Sequence, residues 1–158
     1  MPKVIMTCGK LWCGKTTYAR ELQKEGKAVI LSIDEIMLAV FGQDAGEKHD
    51  DYVARIKKYL YQKSLEIINN GLDVILDWGF WTKEERAYAR SFFGLNGITN
   101  ELHFIDIDDC EWHRRIETRN QEVFAHNGNA YYVDDGLSEK FNAIFEKPDP
   151  SEIDFRIE

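Results

Sequence analysis

The chain has 158 residues, 44% of them hydrophobic and 30% charged, with a formal net charge of −8, a size and composition that suit one buried core in a globular protein. No run approaches the roughly 18 apolar residues of a membrane span and the first residues lack the apolar stretch of a secretory signal, so a cytoplasmic protein is expected. The acidic balance argues against a long polyanion as partner, because nucleic-acid affinity rests on neutralised phosphates, and the three cysteines (Cys8, Cys13, Cys110) have no metal-ligand spacing and suit reduced thiols.

Apolar runs alternate with helical patterns along the chain. Val4 to Thr7 reads as a strand, and Lys15 to Glu25 as a helix stopped by Gly26. Ala28–Ser32 is a second strand, followed by a short helix from Glu35 to Phe41. A longer helix covers about Tyr52 to Asn69, with Val53, Ile56, Leu60, Ile67 and Ile68 near one face, and Gly71 closes it. Asp73–Asp77 is a third strand, and Thr82 with Glu85 three residues later has the form of a capping box for the next helix. Leu102–Ile107 is a fourth strand, with Asp108 and Glu111 opening the helix after it. The polar stretch Gln121 to Asn129 interrupts the pattern before a helix marked by Leu137, Phe141, Ile144 and Phe145, ended by Pro148 and Pro150. A last strand is expected near Ile153–Ile157. Strands that are apolar on both faces and alternate with helices predict an α/β three-layer sandwich around a parallel sheet, with ligands at the carboxyl ends of the strands.

The segment between the first strand and first helix carries the chemistry. Gly9-Lys10-Leu11-Trp12-Cys13-Gly14-Lys15-Thr16 fits G-x-x-x-x-G-K-[ST] at every specified position. In such a loop the backbone N–H groups cradle phosphates, the lysine reaches the β- and γ-phosphates, and the Thr16 hydroxyl holds Mg²⁺. These eight residues, with Thr17 after them, are the expected nucleotide contacts. Trp12 is large for its position and either stacks on the nucleotide or packs outward against the next loop. Cys13 is either a compact filler or a thiol activated by Lys15 and the helix N-terminus.

Two aspartates fall at adjacent strand ends. Asp34 follows the second strand and is read either as the carboxylate that serves an acceptor hydroxyl or as a helix cap. Asp77 closes the third strand in the manner of a Walker B aspartate and is the expected Mg²⁺ partner of Thr16; the alternatives are a helix cap, or the base if Asp34 proves to be the metal residue. Trp78-Gly79-Phe80-Trp81 is either the wall of an acceptor pocket or core filling. Arg115 and Arg119 are four apart, and so share a helix face from which they could clamp nucleotide and transferring phosphate, with a lid over about residues 115–135. The alternative is an exposed helix with a Glu111–Arg115 pair. His49 and His113 are expected to face water.

Gly9–Ala19, Leu76–Trp81, and Arg115 through Arg119-Asn120 to Phe145-Glu146-Lys147-Pro148 together resemble the small P-loop kinases with an arginine-bearing lid. Within them the chain is most similar to the ATP-binding AAA-like group related to zeta toxins, chloramphenicol phosphotransferases and polynucleotide 5′-hydroxyl kinases. The resemblance implies a nucleotide-kinase-like sheet of about five parallel strands, and it gives Asp34 the acceptor-hydroxyl role. Polynucleotide kinases typically carry an arginine shortly after that aspartate, where this chain has Ile36, Met37 and Leu38. The expectation is one P-loop domain over residues 1–158, acting as an ATP- and Mg²⁺-dependent kinase of a small-molecule hydroxyl. A 5′-hydroxyl polynucleotide kinase and a slow ATP-hydrolysing switch are the alternatives. On this reading Lys15, Asp34 and Arg119 are catalytic, Thr16 and Asp77 hold the metal, and Arg115 joins the loop in binding nucleotide.

Overall fold

The computed structural model describes residues 1–126 and 135–158. Five strands, β1 (Lys3–Cys8), β2 (Ala28–Ser32), β3 (Asp73–Asp77), β4 (Thr99–Ile105) and β5 (Phe155–Ile157), form one sheet in the order β2-β3-β1-β4-β5. Every neighbouring pair is parallel, as expected. The helices are α1 (Lys15–Glu25), α2 (Ile33–Phe41), α3 (His49–Asn69), α4 (Lys83–Leu95), α5 (Asp109–His126) and α6 (Asp135–Ile144). None among the described residues is long and apolar enough to cross a membrane.

Successive residues of a strand point to opposite faces, and β1 shows why its run is apolar throughout. Val4, Met6 and Cys8 pack with Tyr61 of α3 and with Ala89 and Phe93 of α4. Ile5 packs on the other face with Ala19 of α1 and Ile75 of β3. Central placement of β1 then aligns three strand ends. Thr7 is opposite Asp77, and Asp77 is opposite Ser32, so the segments after β1, β2 and β3 leave the sheet side by side.

Element boundaries differ from the sequence reading in instructive places. Helix α2 begins at Ile33, directly from β2, because the Ser32 hydroxyl accepts the Glu35 N–H at 3.3 Å. Thr82 caps α4 by accepting the Glu85 N–H at 3.1 Å, but the Glu85 carboxylate pairs instead with Lys57 of α3 at 2.5 Å. Asp108 accepts the Glu111 N–H at 2.8 Å, as expected. Strand β4 starts earlier, at Thr99, because its polar residues still pair with β1 and find partners of their own: Glu101 with Lys3 at 2.9 Å, Asn100 with Arg90. Residues 121–126 continue α5 rather than interrupting it. The remainder of the expected lid, residues 127–134, lies outside the described residues.

One buried charge was not anticipated. Arg86 of α4 is 2% exposed. It donates to the Phe80 carbonyl at 2.9 Å and pairs with Glu152 at 3.0 Å, joining the β3–α4 turn to the segment before β5. Burial opposes ionisation of Glu152, but the hydrogen bonds from Arg86 and the Asp149 backbone, with the charges of Arg86 and Lys83, together outweigh it and hold the carboxyl below its ordinary value. Arg86→Met would leave Glu152 and the Phe80 carbonyl without this partner, and a loss of about 3 kcal/mol is expected in a denaturant titration. A carboxylate depressed in the folded state stabilises above its unfolded pKa and loses that contribution as pH falls through the folded value. The variant should therefore also lose stability less steeply on acidification than the wild type.

Candidate active site

The phosphate loop needs both of its motif glycines for space. A Cβ on Gly9 would lie 2.5 Å from the Cys13 sulfur and 3.0 Å from the Ile105 carbonyl, and Gly14, at φ 106°, leaves 2.8 Å to Arg115. No side chain caps α1, so the N–H groups of its first turn are available to an anion. Lys15 folds back over its own loop, with its Nζ 2.5 Å from the Lys10 carbonyl and 3.3 Å from that of Gly9.

Thr16 Oγ1 donates to Asp77 Oδ2 at 2.8 Å, and Asp77 is only 6% exposed. A hydroxyl and a carboxylate are hard oxygen donors of the kind Mg²⁺ takes, usually one or two from protein with water and phosphate completing the shell. The pair fits that ion. Among the described residues no group of three His, Cys, Asp or Glu side chains could cage a metal alone.

Asp34 stands in the first turn of α2, next to the aligned strand ends. Since Ser32 already caps that helix, the capping explanation for Asp34 falls away. Asp34 is exposed on the surface of α2, yet the protein packed beside it desolvates its carboxylate and pushes its pKa up. Lys15 opposes that shift, Asp77 adds to it, and His49 opposes it. His49 therefore does not simply face water: it is half-buried at the start of α3 and its charge is felt at Asp34, whereas His113 is exposed.

The remaining candidates divide by what they touch. Trp12, at φ 54°, packs outward with Leu11 against Trp112 and Ile116 of α5. Lys10 turns the same way, 2.5 Å from Asp109 and above the Trp112 ring at 4.8 Å, so only its backbone serves the loop interior. Cys13 is buried against Gly9, 3.8 Å from Lys15 Nζ. Thr17 is exposed on the first turn of α1. Arg115 forms the Glu111 pair at 2.8 Å and also donates to the Cys13 carbonyl, so it reaches the loop. Arg119, one turn further along α5, has 45% of its side chain exposed and lies 3.9 Å from Glu122. In the aromatic turn Phe80 is fully buried and Trp78 packs with Ile33, Met37 and Leu60, which is core filling. Trp81 instead donates its indole N–H to the Gly9 carbonyl at 3.1 Å.

A comparison with protein families matches residues 4–148 to the AAA domain. The chain belongs to the AAA domain family. No curated protein matches it. Solved structures similar to this AAA domain chain include a chain of the Pnkp1/Rnl/Hen1 RNA repair complex, with TM-score 0.72 and 19% identity over 90% of this chain and 43% of that one. A sugar kinase from Janibacter sp. HTCC2649 gives 0.68 at 13% identity, over 99% and 85%. Kti12 of Chaetomium thermophilum, in complex with ADP-AlF3, gives 0.67 at 17%, over 98% and 87%. At these identities the likeness is one of fold: a P-loop kinase-like α/β sheet.

The thiols supply a check on the loop. Burial pushes Cys8 up to about 12, Cys13 is fully buried, and Cys110 is exposed. Treatment of the native protein with an alkylating reagent should modify Cys110 rapidly, with Cys8 and Cys13 labelled only on unfolding, as read by peptide mass spectrometry.

Proposed function

We propose that the protein is an ATP- and Mg²⁺-dependent phosphotransferase that moves the γ-phosphate to a hydroxyl of a small molecule. The observation that carries this reading is the convergence of Lys15, the Thr16–Asp77 pair and the raised carboxylate of Asp34 at one sheet edge.

In this reading the loop N–H groups and the α1 N-terminus receive the ATP phosphates. Lys15 leaves the Lys10 carbonyl and turns to the β- and γ-phosphates. Thr16 and Asp77 would hold Mg²⁺, which would supply positive charge to the phosphates. Asp34 takes the proton as the acceptor oxygen bonds to the γ-phosphorus and the bond to the β-phosphate oxygen breaks, releasing ADP. Desolvation makes Asp34 a stronger base than a free aspartate. Arg115, already at the loop, meets the phosphates, and Arg119, one turn further along α5, meets the transferring group.

The surroundings of Asp34 favour a small acceptor. Between Ile33 and Tyr52 the sequence holds Asp34, Glu35, Asp44, Glu47, Asp50 and Asp51 against Lys48 and His49, an acidic segment that is a poor match for a phosphate backbone. The fold shared with the Janibacter sugar kinase agrees with this. The fold shared with a chain of the RNA repair complex makes a 5′-hydroxyl end the second acceptor to test. A panel of sugars, nucleosides, hydroxylated antibiotics and 5′-hydroxyl oligonucleotides, assayed for ADP release and phosphorylated product, separates the two readings. ADP release without any product would instead mark an ATP-hydrolysing switch.

Lys15→Ala is expected to abolish turnover and weaken ATP binding with the melting temperature preserved. Asp34→Asn should leave MgATP binding and stability intact while phosphoryl transfer falls by about two orders of magnitude. Because the Asp34 carboxyl is held up, wild-type transfer should decline on acidification at a higher pH than a free aspartate would impose, and the pH–rate profile reads this directly.

A further inference from the structure

A loop that turns its N–H groups inward to phosphate must turn carbonyls outward, and a buried carbonyl without a donor is costly. In this chain two tryptophans from different elements supply such donors. Trp81, after β3, donates to the Gly9 carbonyl at 3.1 Å, and the Gly9 N–H in turn donates to the Gly79 carbonyl at 3.1 Å. Trp112, on α5 and 2% exposed, donates to the Leu11 carbonyl at 2.5 Å.

The backbone around both indoles is bent to allow this. Among the described residues the non-glycine residues at positive φ are Trp12 and Phe80, one beside each contact. Gly79 is at φ 68°, and a Cβ there would lie 2.8 Å from Trp81 Cδ1, so the ring can fold back to Gly9 only over a glycine. The ring edge then meets Phe141 of α6 at 4.6 Å, and the Trp81 carbonyl accepts the Glu146 N–H at 2.7 Å. On the other side Trp12 packs against Trp112.

We propose that Trp81 and Trp112 are positioning residues that hold the phosphate loop in its anion-binding shape by taking its outward carbonyls. This rests on the nucleotide-binding reading above. Lys15 shares the Gly9 carbonyl in this structure; once it turns to a bound phosphate, Trp81 still holds that oxygen and Trp112 still holds Leu11. The indoles act in the bound state, where the loop must keep its shape while its lysine is engaged elsewhere.

Trp78 is a built-in control. It lies in the same turn as Trp81, and its indole N–H is buried with no partner among the described residues. Trp81→Phe, Trp112→Phe and Trp78→Phe should be titrated calorimetrically with MgADP and with pyrophosphate, with melting curves in parallel. The first two should each weaken both ligands by about five- to tenfold, the worth of one hydrogen bond. Trp78→Phe should stay within about twofold of the wild type whatever its melting temperature. Where Phe leaves the protein unfolded, benzothienylalanine at the same position keeps the ring shape and lacks the N–H. Wild-type affinity in both the Trp81 and Trp112 variants, or equal losses in all three, overturns the brace while leaving the nucleotide site in place. If the wild type binds neither ligand, the nucleotide reading fails and the brace fails with it.

Discussion

A single hydrogen bond, from Thr16 Oγ1 to Asp77 Oδ2, joins the start of α1 to the end of β3, and the site is arranged around it. It exists because β1 runs between β3 and β4 and because Thr7 stands opposite Asp77 in the β1–β3 register. A parallel sheet delivers all of its strand ends to one edge. With Ser32 in the same row, the phosphate loop, the buried Asp77 and the first turn of α2 meet without any long loop to place them. Shifting β3 by one residue would send Asp77 to the other face of the sheet and break the row.

The same edge concentrates strain and charge. Trp12 and Phe80 occupy left-handed backbone, which costs of order 1–3 kcal/mol each for a residue with a side chain. That cost is offset locally by aromatic packing, Trp12 against Trp112 and Phe80 beneath Trp78 at a centroid separation of 5.3 Å. Arg86 reinforces the second of these turns from below, binding the Phe80 carbonyl while paired with Glu152. Helix α5 reinforces the loop from above through Trp112, Arg115 and the Lys10–Asp109 pair. The loop is thus supported from both sides.

Electrostatics separate the two sides of the cleft. On the β4 side an open hollow of about 460 Å³ adjoins the loop, lined by Phe104, Phe145, Asp108 and two sets of ion pairs, Lys10 with Asp109 and Asp106 with Lys147 and Arg156. On the β2 side Asp34 is exposed on α2, and Lys15, Asp77 and His49 are the groups felt at its carboxylate. The first side holds ion pairs; the second sets the Asp34 carboxylate near Lys15 and Asp77.

The strand–loop–helix pattern around Gly9 to Thr16, the parallel α/β class and the identity of Asp34 and Asp77 as edge carboxylates were legible in the sequence. Each depends on local spacing: glycines where backbone must approach closely, apolar runs where both faces are buried, an aspartate directly after a strand. The roles of Ser32, Trp81, Trp112, Arg86 and His49 were not legible. A hydroxyl next to Asp34 competes with it for the same cap, and only geometry shows which side chain meets the Glu35 N–H. An indole N–H leaves no periodic trace, so the partners of Trp81 and Trp112 appear only when segments 72 and 101 residues apart meet. The buried charge of Arg86 looks like any surface arginine until Glu152 arrives beside it. The sequence by itself determined the strand–loop–helix segment of Gly9 to Thr16, because its pattern is written within eight consecutive residues. Only the tertiary structure decided what holds those residues in place, because the donors for an outward-facing backbone come from wherever the fold brings a spare N–H within reach.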